Sequence, residues 1–185
     1  MLYRLPQEDL CQALGVPPIR KYQSDGGPGI ADILTFLNGA ESPREDRLTF
    51  LKAQIVYWLL AAIDGHAKNF SVFLTPGGFR LAPLYDVMSV APYPEYSPHK
   101  VKMAMAVGDQ RHYRIKTIMP RHFYQSARQA GIAKQDMDDL FTDILARIDP
   151  AIEDAAAIAS KAGMPSQTAD AILDGIRKRS GLVDT

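Results

Sequence analysis

Residues 63–89 read IDGHAKNFSVFLTPGGFRLAPLYDVMS, and the fold turns on how this stretch closes on itself. Phe70 to Leu74 and Phe79 to Ala82 have the apolar, β-branched and aromatic make-up of short strands, and the tetrapeptide Thr75-Pro-Gly-Gly78 between them is a turn. A hairpin brings the chain back to its starting point, so Asp86, beyond the second strand, is expected near Asp64 and Asn69. Upstream, residues 44–63 form the strongest helix, and its second half, IVYWLLAAI, is apolar on every side. A helix without a polar face is a buried one. Anchored in the core, it fixes the position of the next residue, Asp64. An unpaired carboxylate at such a position is costly unless it faces a cleft or a cation.

Working outward, residues 7–14 read as a short helix with Pro6 in its first turn and Gly15 past its end. After a loop over 16–29, Ile30, Ile33, Leu34 and Leu37 share a helical face that Gly39 terminates. Residues 92–98 hold three prolines and read as a loop, and 100–107 alternate as an extended segment. Helices are then expected from Pro120, over 135–147, from an Asp149 N-cap with Pro150 in the first turn to Gly163, and over 167–179. The expected fold class is mainly α with a small β-hairpin, as one domain over residues 1–185.

Asp64, Asn69 five positions later, and Asp86 after a hairpin match the layout of protein-kinase chemistry. There one aspartate orients and deprotonates the acceptor hydroxyl, while an asparagine and a second aspartate hold the magnesium ions that bridge the ATP phosphates. The spacing alone is weak, since Asp and Asn often cap local backbone. Buried helix, spacing, hairpin and second aspartate together are much more specific.

The words IDGHAKNFSVFL and GGFRLAPLYDVMS resemble the catalytic core of the HipA family, serine/threonine kinase toxins of bacterial toxin–antitoxin pairs. The likeness reaches upstream through RLPQEDLCQALGVPPIRKYQSDGGPGIADI and downstream through MPRHF, covering residues 4–123 closely and the terminal helices loosely. The resemblance implies a protein-kinase-like C-terminal lobe with Asp64 as catalytic base. His66, Ala67, Lys68 and Asn69 would line the phosphate end of ATP, and Tyr85 would contact the nucleotide. Asn69 and Asp86 would be the Mg²⁺ ligands. Eukaryotic kinases carry a lysine two residues after the catalytic aspartate; here that slot holds His66, and Lys68 comes two positions later. The family's N-terminal ATP-gripping lobe is expected to be absent before Met1, so the chain reads as an excised domain, a truncated product or half of a split kinase. Partners implied are a HipB-like helix-turn-helix antitoxin, a separate N-terminal lobe, a protein substrate such as an aminoacyl-tRNA synthetase, and operator DNA through the antitoxin complex. The alternative is a non-catalytic interaction module binding those partners, and a metal-dependent hydrolase on Asp64, His66 and Asp86 is a distant third.

Composition narrows the classes. The chain has 185 residues, 46% of them hydrophobic, with 21 basic and 21 acidic residues and no net charge. That suffices for a core and gives no overall field toward nucleic acid or membrane. Residues 100–134 are nevertheless basic, with Asp109 the one acid, which is either a solvated face or a DNA contact. A single cysteine, Cys11, excludes an internal disulfide. No signal peptide or membrane span is expected, the longest apolar run being nine residues against the roughly 20 a span requires; a cytoplasmic protein is implied. His99, His112 and His122 lack ligand spacing for zinc, and Met103 and Met105 are expected to face the core. The Gly26-Gly-Pro-Gly29 loop is either a tight turn into the next helix or a rim of the cleft.

Overall fold

The computed structural model describes residues 4–97 and 99–183. Pro98, at the end of the proline loop, and Met1–Tyr3, the start of the segment read against a signal peptide, lie outside the described residues.

The N-terminal helix departs from expectation. Gln7–Asp9 is a strand, β1, and only Leu10–Ala13, α1, is helical. Asp9 ends the one and caps the other: its carboxylate accepts from the Gln12 N–H at 2.9 Å, and the Gln12 side chain accepts from the Asp9 N–H at 3.0 Å. Helix α2 (Ile30–Phe36) buries Ile30, Ile33 and Leu34, the expected face, and a 3-10 turn carries it to Gly39. Helix α3 (Pro43–Leu60) is the buried axis foreseen for 44–63; Ala53, Gln54, Ile55, Tyr57, Trp58 and Leu59 are all buried. Strands β2 (Ser71–Thr75) and β3 (Gly78–Leu81) form the expected hairpin. Strand β1 joins it, with Gln7 opposite Phe73 and Asp9 opposite Ser71, to give an antiparallel sheet of order β1-β2-β3. That pairing is why residues 7–9 are not helical: the edge of β2 satisfies backbone groups that a first helical turn leaves open.

Strands β4 (Lys102–Val107) and β5 (His112–Arg114) make a second, two-stranded sheet, with Met103 and Met105 in the core as expected. Three helices complete the chain: α4 (Pro120–Gln129), α5 (Lys134–Lys161) and α6 (Ser166–Ser180). Helix α5 corrects a second expectation. The two helices anticipated on either side of Asp149 are one, with Pro150 inside it. An internal proline costs a helix about 3 kcal/mol. Here Ile144 and Ile152 are both buried on one continuous stripe, and a break between them would uncover it. No helix among the described residues is long and apolar enough to cross a membrane.

The core joins the helical and strand layers through aromatic rings. Phe70 packs edge-on against Phe50 at 4.9 Å, Trp58 meets Phe123 of α4 at 5.6 Å, and the Trp58 indole N–H donates to the Ile115 carbonyl at 3.2 Å. Beside this core the buried His122 ring of α4 stacks on His112 of β5, centroids 3.8 Å apart, and its Nδ1 accepts from the Met119 N–H. Burial holds the His122 pKa below its ordinary value of 6.5, and the neighbouring His112 and Arg121 push the same way. The unfolded chain therefore takes up this proton more readily than the folded one. Stability from the group is complete above the ordinary value and is lost as pH falls below it toward the folded value. The melting temperature is expected to drop between pH 7 and pH 5, and a His122→Asn variant should show a flatter profile in calorimetric scans across that range.

Candidate active site

Helix α3 stops where the site begins. Ala61 takes a left-handed conformation, φ 52°, its N–H bonding the Trp58 carbonyl at 3.2 Å while Ala62 bonds Tyr57 at 2.8 Å. The chain then turns over the last buried ring of the helix. Gly65 lies on Tyr57 so closely that a Cβ would come within 2.2 Å of the ring. A 3-10 turn over Ala67–Asn69 leads into Phe70 and β2.

Asn69 is the hub. Its buried side-chain amide donates to the backbone carbonyl of Asp64 at 2.8 Å and to the carboxylate of Asp86 at 3.1 Å. The hairpin thus returns Asp86 to the loop, as its sequence position requires. Asp86 sits at φ 55°, a left-handed conformation that aspartate tolerates better than most residues but still at some cost. One residue earlier, the Tyr85 hydroxyl donates to the Lys68 carbonyl at 2.9 Å and lies 2.5 Å from Ser71 Oγ. Loop, sheet and the Tyr85–Asp86 segment are therefore fastened at two points.

The Asp64 carboxylate is 49% exposed. On its inner side, Oδ1 accepts from the Tyr22 hydroxyl at 2.5 Å and lies 3.5 Å from His66 Nε2. Burial and the bond to Asp64 push the Tyr22 pKa up to about 12, so the hydroxyl stays a donor. His66 is buried edge-on against Tyr22, centroids 4.9 Å apart, and neither ring nitrogen makes a hydrogen bond. Burial lowers its pKa, with the Asp64 carboxylate opposing. The ring backs Asp64 as a neutral group.

Of the site residues read from sequence, Asp64, Asn69 and Asp86 come together around one amide. Tyr85 and Lys68 adjoin them through the backbone. The Ala67 side chain is wholly buried in the core and His66 lies behind Asp64, so neither side chain opens toward solvent. Sequence reasoning did not single out Tyr22. It sits 42 residues before Asp64, and the one signal was its place in the KYQSDGGPG segment. The glycines of that segment build a tight turn. The Gly29 N–H donates to Asp32 as the chain turns into α2, while Gly27 donates to the Tyr22 carbonyl and stands where a Cβ would be 2.0 Å from the Arg20 carbonyl. Tyr57 was also missed as a site neighbour. Its hydroxyl is buried without a partner, and burial, reinforced by the Asp86 carboxylate, pushes its pKa up to about 12.

Asn69 and Asp86 offer amide and carboxylate oxygens, hard donors suited to a magnesium ion that completes its octahedron from phosphates and water. Among the described residues no group of three or more His, Cys, Asp or Glu is arranged to hold a metal ion, which gives no support to a hydrolase built on Asp64, His66 and Asp86. The arrangement can place an exposed carboxylate beside an incoming hydroxyl, with the Asn69 amide and the Asp86 carboxylate next to it. Alongside Asp64 runs a groove of about 560 Å³.

Comparison with known proteins converges on one group. The family model described as the HipA-like C-terminal domain matches residues 2–152. Y4mE of Sinorhizobium fredii, a protein named as a kinase, is 44% identical over 109 residues, covering 58% of this chain and 25% of that protein. The serine/threonine-protein kinase toxin HipA of Shewanella oneidensis is 32% identical over 114 residues, covering 55% and 25%. Among solved structures, a chain in the complex of Shewanella oneidensis HipA, HipB and operator DNA superposes with a TM-score of 0.81 over 98% of this chain and 45% of that one. At 23% identity that likeness shows the fold alone. The chain matches about a quarter of the curated relatives' length.

Proposed function

Since this chain belongs to the family of HipA-like C-terminal domains, we propose that it is the catalytic-loop lobe of a serine/threonine protein kinase that moves the ATP γ-phosphate to a protein hydroxyl. The observation that carries this reading is the Asn69 amide joining the Asp64 carbonyl to the Asp86 carboxylate. In the proposed reaction the exposed Asp64 carboxylate orients the acceptor hydroxyl and takes its proton. The hydroxyl oxygen bonds to the γ-phosphorus as the bond to the ADP oxygen breaks. Tyr22 and His66 hold Asp64 from behind, and Asn69 fixes the loop carbonyl so that the carboxylate keeps its direction. Asn69 and Asp86 would hold Mg²⁺, which when bound offsets charge on the phosphates. Lys68 and Tyr85 stand at the edge where the nucleotide would lie.

The grip on the α- and β-phosphates is assigned to a second lobe, in a longer form of the protein or a separate chain. A HipB-like antitoxin is proposed as a partner, with operator DNA reached through that complex, because the Shewanella HipA of similar fold is seen with both. The basic stretch agrees with this: Arg128 pairs with Asp109 and Lys134 with Asp138, while Lys100, Arg114, Lys116 and Arg121 have no ion pair among the described residues. The proposed setting is the cytoplasm, where ATP and such partners occur. The second reading is an interaction module without catalysis that binds those same partners.

Calorimetric titration of Mg²⁺-ATP decides between them. This chain joined to an ATP-gripping lobe is expected to bind, and Asp86→Asn to weaken binding by about tenfold or more, the order of loss for a removed charged contact. Equal affinity in both proteins overturns the assignment of Asp86, and no binding by either turns the balance to the interaction module.

A further inference from the structure

The groove beside Asp64 is lined by Tyr22 and Ser24, by Met88 and Tyr96, and by Lys102 and Tyr113 of the second sheet. Its walls are unusual for a free surface. Met88 is 69% and Tyr96 45% exposed, large apolar side chains grouped about one cleft rather than scattered. Lys102, on the groove's lining, stands directly opposite Arg114 in the β4–β5 register. Both are exposed, and neither has an ion pair among the described residues. Like charges facing each other across strands destabilise a sheet. An anionic group from outside would relieve that repulsion.

We propose that this groove receives the acceptor segment of the protein substrate, and that it selects a serine or threonine flanked by an apolar or aromatic side chain and then an acidic one. This deepens, and rests on, the kinase reading. With the hydroxyl at Asp64, a chain lying in the groove lays its next side chains on the Tyr22, Met88 and Tyr96 walls and brings a carboxylate to Lys102. The rings give contact area at little entropic cost, and the Lys102 ammonium gives the charge preference. A single nucleic-acid strand also uses rings and cations, but it carries a phosphate at each nucleotide. The Asp64 carboxylate lines this groove, and Ser24, also on its lining, is next to the exposed Asp25. A peptide with one acid fits that polarity; a polyanion does not.

Fluorescence anisotropy with labelled peptides tests this on the chain as it stands, without ATP. A serine peptide bearing an aromatic and a glutamate is expected to bind about tenfold or more tightly than its lysine counterpart, the scale of a desolvated charge contact. Lys102→Glu should reverse the order. Lys116→Glu, a cation outside the groove, should leave it unchanged. Thermal unfolding of each variant at the wild-type temperature confirms that the fold is kept. Equal binding of the two peptides, an unchanged preference in Lys102→Glu, tighter binding of a single-stranded oligonucleotide, or no binding of any probe would each overturn the proposal. Failure of the kinase reading would instead show in the Mg²⁺-ATP titration, with peptide preference intact.

Discussion

Asp64→Ala, in this chain joined to an ATP-gripping lobe, is expected to lower turnover by about 10²–10⁴-fold, the contribution of a positioned general base. The affinity for Mg²⁺-ATP should stay essentially unchanged, because the groups proposed to hold the cation are Asn69 and Asp86. The partners that Asp64 leaves behind are a tyrosine hydroxyl and a neutral imidazole, and neither becomes a buried charge when the carboxylate goes. The Asp64 backbone carbonyl that receives the Asn69 amide also survives the substitution. The variant should therefore fold, bind nucleotide and fail at chemistry. Transfer of labelled phosphate to a protein substrate, measured at saturating ATP, separates these effects: a fall in kcat with KM for ATP unmoved fits the assignment. Undiminished kcat would remove Asp64 from the mechanism.

How much of the fold and site was legible in the sequence depends on the range of the forces involved. The apolar run IVYWLLAAI declares a buried helix by itself, and the Pro-Gly-Gly turn declares the hairpin, so the meeting of Asp64, Asn69 and Asp86 could be inferred from spacing. Residues 7–9 could not. Their capping and turn signals favour a helix, and only the open edge of β2, more than sixty positions away, makes them a strand. Pro150 misled for a related reason. Local rules place it at a helix start, but the stripe through Ile144 and Ile152 is buried against other parts of the chain, and that burial outweighs the proline. Tyr22 and His66 show the same limit within the site. The family resemblance puts His66 at the phosphate end of ATP; the structure makes it a buried wedge, because Tyr22 arrives from another segment to close over it. Contacts set by neighbours along the chain were readable, and those set by a distant surface were not.

Gly65→Ala tests the packing that aims the catalytic loop, and its expected effect is steric. A Cβ at this position would stand 2.2 Å and 2.3 Å from two carbons of the Tyr57 ring, well inside any contact that real Cβ atoms make. The ring has little room to retreat. Tyr57 is 1% exposed, leans on Phe70 at 5.6 Å, and Phe70 in turn packs on Phe50 at 4.9 Å. The loop must therefore yield, and overpacking of this kind costs about 1–3 kcal/mol. For a chain of this size each kcal/mol lowers the melting temperature by about 2–4 °C. Displacing residue 65 also shifts Asp64 and loosens the Asn69 amide from the Asp64 carbonyl. Turnover in the joined kinase should consequently fall further than the stability loss alone would bring about. Shortening the obstacle supplies the internal control. In Gly65→Ala/Tyr57→Leu the second change opens the space that the methyl needs, so its cost should be less than the sum of the two single costs, the signature of residues in direct contact. Additive costs, or a Gly65→Ala protein that melts with the wild type, would mean that the loop does not rest on Tyr57 and that another contact sets the direction of Asp64.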